Sequence, residues 1–254
     1  MEVIAFMNQK GGVGKTTAAV NIAAGMSLIG RRVLLVDMDP QAHATQSLGI
    51  SEEGEKRKTV FEVLDETAAA ADVILDRGGL AVLPSGLTLA NAELYFLGTP
   101  GREMMLSNAL KAIRADFEYI FIDCPPSLGV LTMNALAAAT GVYVPIKTEF
   151  LPMQGITQLI KTVDLIRQRI NAALKITGVF GTFYDNRRTL NREVMAAVRE
   201  IFGAAVFETT IRNNVALAEA PGAGKTIFEH APGSHGAEDF SALCREIISR
   251  EGGQ

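Results

Sequence analysis

The 254-residue chain has only two cysteines, Cys124 and Cys244. Two scattered cysteines build no disulfide framework and no zinc pattern. They also exclude an iron–sulfur redox ATPase, which needs paired cluster cysteines, and the missing C-x-x-C argues against a metal carrier. No apolar run approaches the ~18 residues of a membrane span. The start of the chain lacks a basic n-region and enters an apolar segment at once, so no secretory leader is expected. There is no linker rich in Pro, Gly or Ser and no internal repeat, and Ala68 to Ala71 is too short a tract to matter. An excess of basic charge is missing too. Lys and Arg number 24 against 28 Asp and Glu, for a net charge of −4 and a pI near 5.5. That leaves no global signature of nucleic-acid binding. With 48% apolar residues, one cytosolic α/β domain spanning 1–254 is expected.

What is present is concentrated near the N-terminus. Val3-Ile4-Ala5-Phe6 reads as a strand, and Asn8 to Thr17 follows as NQKGGVGKTT. The glycine loop leads into Lys15-Thr16-Thr17, which open an apolar helix with Ala19, Ile22, Ala23, Met26 and Ile29 at near-helical spacing. Loop amides and a helix N-terminus together make a cradle of N–H donors for a polyphosphate. Lys15 supplies a point charge to the β- and γ-phosphates, and the Thr16 hydroxyl can ligate Mg²⁺. The strict G-x-x-x-x-G-K-[ST] pattern nevertheless fails, because position 9 is Gln9. A second lysine, Lys10, precedes the Gly11-Gly12 pair instead.

Two further segments end in acid. Arg32 to Asp39 reads RVLLVDMD, and Tyr119 to Ser127 reads YIFIDCPPS, with Asp123 closing its apolar run. Ligands of parallel α/β sheets bind at the carboxyl ends of strands, where carboxylates hold Mg²⁺ directly or through water. A lone strand-end Asp is often only a cap or turn residue. Three beside a phosphate loop point to a metal–nucleotide site. Cys124 follows Asp123, and its plain reading is a small buried residue.

The layout alternates. Strands are predicted near 2–8, 32–37, 80–84, 118–123, 141–146 and 175–183, with a last one near 205–211. Helices are predicted near 15–29, 87–97, 103–115, 130–139, 154–171, 189–202 and 235–250. This alternation implies a mostly parallel, twisted sheet covered by helices on both faces. Residues 51–58, SEEGEKRK, read as a solvated loop. Pro221-Gly-Ala-Gly-Lys-Thr226 imitates a second phosphate loop, but no strand leads into it and position 219 is Glu. It reads as a surface loop near the nucleotide or the DNA face.

Taken together these motifs resemble the ParA/MinD family of P-loop ATPases. KGGVGKT at 10–16 looks like its deviant Walker A motif, VDMDPQAHAT at 36–45 like its switch I, and FIDCPPS at 121–127 like Walker B and switch II. Val144-Pro145-Ile146 through Gly155, Val215 to Pro221, and Ser234 to Glu238 resemble the ParA/Soj branch. The resemblance covers nearly the whole chain, and the motifs fall in the family's order. It implies an ATP- and Mg²⁺-dependent hydrolase that forms a nucleotide-sandwich dimer. Lys10 then reaches the partner's ATP and Lys15 its own. The cradle is Lys10, Gly11, Gly12, Val13, Gly14, Lys15, Thr16 and Thr17, with Thr17 at the α-phosphate. Asp39 positions the attacking water, and Thr16, Asp39 and Asp123 form the Mg²⁺ surroundings. A lysine supplied in trans ties hydrolysis to dimerisation.

The family divides by what it positions. A membrane-binding, MinD-like member uses a basic amphipathic C-terminal helix. Here Phe240, Leu243, Ile247 and Ile248 share one face, as in a helix packed on its own core, so no membrane insertion is expected. The DNA-binding branch implies non-specific double-stranded DNA, a nucleoid-associated cytoplasmic location, and a ParB-like stimulating protein or another cargo adaptor. Candidate DNA contacts are Arg187, Arg188 and Arg192, with Arg212; a basic face would need two subunits to combine their arginines. A solvated helix start explains the first three equally well. Relatives usually read I-P-R-N-V-R-L where this chain has Ile211-Arg-Asn-Asn-Val-Ala-Leu217. One arginine has moved and another is replaced by Ala216, which leaves open a weaker or displaced DNA surface and a cargo other than a chromosome origin.

Overall fold

The computed structural model describes residues 1–51, 57–149 and 153–251. The first part of the chain runs β1 (Glu2–Phe6), α1 (Lys15–Leu28), β2 (Val33–Asp37), α2 (His43–Ser47), α3 (Val60–Leu64), α4 (Ala70–Val73), β3 (Leu75–Arg77) and β4 (Leu80–Leu83). The middle carries α5 (Ala92–Tyr95), α6 (Met105–Leu110), β5 (Tyr119–Asp123), α7 (Val130–Ala138) and β6 (Gly141–Lys147). The last part has α8 (Met153–Arg169), β7 (Lys175–Thr182), α9 (Thr189–Phe202), α10 (Val215–Glu219), α11 (Ile227–His230) and α12 (His235–Glu251). Seven strands form one sheet in the order β3-β4-β2-β5-β1-β6-β7. All neighbours are parallel except β3 and β4.

The central strands are apolar on both faces. Every residue of VLLVD in β2 and YIFID in β5 is buried, the pattern of a parallel strand covered on two sides. One face of the sheet packs against the layer that includes Val63, Leu106, Leu136, Leu159 and Val198, from α3, α6, α7, α8 and α9. The other packs against α1 and, beyond it, α12. Squeezed between sheet and α12, α1 is buried nearly all round, including Ala18, Ile22 and Met26. Ile29 falls outside the predicted apolar stripe: it caps the helix and is half exposed. Phe240, Leu243 and Ile247 of α12 are fully buried and Ile248 partly so. Each fully buried large side chain contributes roughly 1.5–3 kcal/mol, so α12 is part of the core.

Six of the seven predicted strands are present. The segment predicted as a strand near 205–211 is a correction. It runs extended beside β7, with Phe207 N–H donating to Val179 O at 2.8 Å and Ile211 N–H to Gly181 O at 2.8 Å, but it makes only isolated bridges at Val206 and Arg212. Pairing is interrupted because the 3₁₀ turn at Gly203–Ala205 and the turn into α10 leave too short a straight stretch. The sequence reading missed β3, although Gly78-Gly79 between Arg77 and Leu80 is a hairpin signal. Both glycines have positive φ, +63° and +89°, as a two-residue type I′ turn requires.

Two predicted helices are broken. The 87–97 segment is a 3₁₀ turn at Leu87–Asn91 followed by the four-residue α5. The 103–115 segment reduces to α6 between two 3₁₀ turns. Here Asn134 of α7 sets the start: its Oδ1 accepts from Leu106 N–H at 3.0 Å and its Nδ2 donates to Arg102 O at 2.7 Å. A cap delivered by another helix has no local sequence signal. Most of the mixed-charge stretch 51–58 lies outside the described residues.

Candidate functional site

The carboxyl ends of β1, β2, β5, β6 and β7 open on the same edge of the sheet, and the site is built there. The glycine loop leaves β1 and enters α1 at Gly14, the N-cap, at φ +87°. Gly12 is also left-handed at φ +68°. An added Cβ at Gly12 would meet nothing within 4 Å, and at Gly14 only Thr182 Cγ2 at 3.8 Å. Glycine is therefore required by backbone conformation, not by space. The loop is held from behind: Asn8 Nδ2 donates to Pro145 O at 2.8 Å, Lys10 N–H donates to Asn8 Oδ1 at 3.0 Å, and Thr182 Oγ1 donates to Val13 O at 2.9 Å. Asn8 and Thr182 are supports that motif reading missed, because the first precedes the glycines and the second lies on the far strand.

Lys15 is 7% exposed and makes no hydrogen bond or ion pair with the described residues. Thr16 and Thr17 are half-buried beside it, while Lys10, Gly11 and Gly12 are exposed. Lys10 forms no ion pair with the described residues either. The loop thus presents one sheltered ammonium inward and one free ammonium outward.

The acids divide their labour in a way the sequence left open. Asp37 and Asp123 end β2 and β5 at the same register, and both are fully buried. Asp37 is satisfied: it accepts from Asp39 N–H at 3.1 Å, Thr45 N–H at 2.8 Å and Thr45 Oγ1 at 2.7 Å. Burial lifts its carboxyl to about 6, opposed by those hydrogen bonds. It shapes the turn into α2, where Ala42 is held left-handed at φ +52°, a conformation that costs a non-glycine residue free energy. Asp39, 8% exposed, accepts only from Gln41 N–H at 2.9 Å, and its backbone carbonyl takes Ser85 Oγ at 2.7 Å. Among the described residues Asp123 accepts no well-formed hydrogen bond on either oxygen, although the Thr16 hydroxyl lies near enough to favour its charged form. Burial and the nearby Asp37 hold its carboxyl well above the usual range, with Thr16 and Lys15 acting in the opposite sense.

A buried carboxylate without a partner is costly, and here it faces an uncommitted ammonium and a threonine hydroxyl. That donor set fits a hydrated divalent cation bridged to phosphate. Mg²⁺ keeps several waters and needs only one or two protein oxygens. Cys124 is buried, and burial, then Asp123, pushes its thiol up. Burial likewise raises Cys244 to about 12, so neither offers a thiolate nucleophile.

Beside Gly14 and Thr17 lies a mainly apolar slot of about 280 Å³, walled by Phe183, Ile211, Asn213, Val215 and Leu217. Its far wall comes from α10 and the segment before it, where the Ile211–Leu217 departure sits. The imitation phosphate loop at 221–226 lies at the surface, with Gly222, Ala223 and Lys225 exposed. It is a 3₁₀ turn, and Thr226 starts α11 in a capping box with Glu229. Arg77 pins it by donating to Gly224 O at 3.2 Å.

Arg187, Arg188 and Arg192 are gathered at the start of α9, and Arg187 is 86% exposed. Arg187 forks onto Asp185 with two 3.0 Å bonds, and Arg188 lies 3.6 Å from the same carboxylate. Arg192 donates to Asn186 O and Thr189 Oγ1. Arg212 lines the same cleft as Arg187 and Arg188, but it pairs with Asp239 at 2.6 Å and Glu238 at 2.9 Å. Among the described residues no helix is long and apolar enough to cross a membrane.

Comparison with known proteins agrees with this architecture. Residues 1–176 match the AAA domain family. The chain is 43% identical to the sporulation initiation inhibitor protein Soj of Bacillus subtilis, over 98% of each. It is 41% identical to the chromosome partitioning protein ParA of Caulobacter vibrioides, over 99% of this chain and 95% of that protein. A crystal structure titled cobyrinic acid a,c-diamide synthase from Mycobacterium smegmatis, with bound ATP analogue and magnesium, superposes with a TM-score of 0.85. It is 36% identical and covers 98% of this chain and 94% of that one. With the glycine loop, the strand-end acids and these relatives in agreement, the chain belongs to the ParA/MinD-type family of P-loop partitioning ATPases.

Proposed function

We propose that this ATPase binds ATP with Mg²⁺ at the loop 10–17, dimerises on ATP, and in that state binds DNA without sequence preference to position a cargo. The observation that carries the nucleotide reading is a buried carboxyl, Asp123, that accepts no hydrogen bond within the geometry of the described residues, set near the sheltered ammonium of Lys15. Lys15 and the loop amides hold the β- and γ-phosphates, Thr17 meets the α-phosphate, and the apolar slot at Val215 and Leu217 takes the base. Thr16 and Asp123 would hold Mg²⁺, which would supply neutralisation of the charge that builds on the transferring phosphoryl group. Asp39, held by its backbone and nearly free at its carboxylate, orients the attacking water. Lys10 projects from the same loop into solvent, where a second subunit's nucleotide supplies its partner.

On the DNA side, the candidates of one subunit are Arg187, Arg188 and Arg192, with Arg212 in the same cleft and paired with two acids. A dimer doubles the phosphates neutralised, so binding is both tighter and steeper in salt. A ParB-like protein or another cargo adaptor, acting at the nucleoid, would stimulate hydrolysis and release the dimer. The deciding experiment is a salt titration of DNA binding by a hydrolysis-blocked variant, with ATP and with ADP. Tighter, more salt-sensitive binding with ATP is expected. Equal weak binding in both states removes the DNA reading and favours positioning on a protein or membrane surface.

A further inference from the structure

A line of buried polar groups joins the phosphate loop to the arginine loop, and neither site uses it directly. Thr182, at the end of β7, donates its hydroxyl to Val13 O at 2.9 Å. Thr148, just past β6, is fully buried. Its hydroxyl is shared between the carbonyls of Thr182 at 3.1 Å and Phe183 at 3.3 Å. Asn191, 1% exposed in the first turns of α9, donates Nδ2 to Thr148 O at 2.6 Å. Its Oδ1 accepts from Asp185 N–H at 2.7 Å. The Asp185 carboxylate then takes the backbone N–H, Nε and Nη2 of Arg187, each at 3.0 Å.

The line passes beside a strained turn. Phe183 is held at φ +54°, a left-handed conformation that is a genuine outlier for a bulky side chain. Its ring lies 4.8 Å below Lys147 Nζ, which also pairs with Glu149 at 2.8 Å. The same ring walls the apolar slot. Strain of this kind persists only where the surroundings over-determine it, and here Thr148 and Lys147 do so from both sides.

We propose that Thr182, Thr148 and Asn191 are positioning residues that carry the state of the phosphate loop to Arg187 and Arg188. A fully satisfied buried network cannot absorb a displacement of the Val13 carbonyl without orphaning a polar group. The displacement is therefore passed to the Phe183 turn and to the start of α9. What the arginines then bind rests on the DNA part of the proposed function; the movement of 183–192 rests only on nucleotide binding at the loop.

Hydrogen exchange followed by mass spectrometry on the full chain tests this, with and without a non-hydrolysable ATP analogue and Mg²⁺. In the wild type, the analogue slows exchange at 9–17 and changes it ~10-fold at 183–192, the response of a local opening equilibrium shifted by binding. Thr148→Val keeps the protection at 9–17 and loses the change at 183–192, and Thr148→Ser restores it. Asn191→Leu cuts the same line with a side chain of similar volume: it removes both the donor to Thr148 O and the acceptor for Asp185 N–H, so it too loses the distal change. Protection at 9–17 alone in the wild type, or a distal response retained in either Thr148→Val or Asn191→Leu, overturns the proposal. No protection at either place overturns it together with the nucleotide assignment. A full exchange response without any DNA binding supports the line and removes only the DNA reading.

Discussion

At the carboxyl ends of β2 and β5 the acids are buried, and Asp123 accepts no well-formed hydrogen bond among the described residues. At the mouth of β7 the arginines are exposed, yet each has an acceptor within its own chain. The two regions carry unequal information. A buried group left unsatisfied costs free energy, so its presence points to a ligand that relieves the cost. An exposed guanidinium with a neighbouring carboxylate costs little in either state and is compatible with a binding face or with a plain solvated one. Energetics therefore carries the nucleotide proposal, and a salt titration decides the proposal that the arginines bind DNA.

The largest effect is expected at the inner lysine. Lys15→Ala removes the only ammonium sheltered in the cradle, and ATP–Mg²⁺ affinity should fall by at least ~100-fold in calorimetric titration, as charged phosphate contacts are among the strong ones. Near-wild-type affinity would break the contrast between the two regions at its stronger side.

Next come the two groups assigned to turnover. Asp39→Ala should lower hydrolysis by roughly 10²–10³-fold while ATP binding survives, because a water-orienting group is lost and the cradle is kept. Sedimentation with ATP should still show the dimer; its loss would make Asp39 structural. Lys10→Ala should retain monomer ATP affinity and lose both ATP-dependent dimer and turnover.

On the exposed side, replacing Arg187, Arg188 and Arg192 together by Glu should reduce DNA affinity for all sequences and flatten the salt dependence by about 3 per subunit. ATP affinity should not move. An unchanged salt slope would show that these arginines are a solvated helix start.

The smallest effects concern stability, and they sharpen the comparison most directly. Asp123→Asn removes a buried carboxyl that has no partner, so the nucleotide-free protein should gain about 1–3 kcal/mol. In a thermal scan that is a rise of several degrees, accompanied by loss of Mg²⁺-dependent turnover. Arg187→Ala should change stability by less than about 0.5 kcal/mol, as usual for an exposed ion pair. A destabilised Asp123→Asn would mean that the carboxyl is satisfied in a way its surroundings do not reveal.

What the sequence determined by itself was local or periodic. The glycine loop between an apolar run and an apolar helix, the second lysine at Lys10, and the strand-end acids were legible because loop amides, charge and strand polarity act within a few residues. The parallel sheet followed from alternation, and the packed α12 from the spacing of Phe240, Leu243 and Ile247. Tertiary structure alone decided the rest. Asp37 became the turn-former and Asp123 the unsatisfied acid because β2 and β5 place them side by side and Thr45 reaches only the first. Asn134 ended the hope of a long helix at 103–115 by capping it from α7. Residues 205–211 lost their strand because the turns at 203–205 and into α10 left too short a straight stretch beside β7. Asn191, Thr148 and Thr182 were invisible as a set, since a hydrogen-bonded line that joins residues 13 and 191 exists only once the chain has folded.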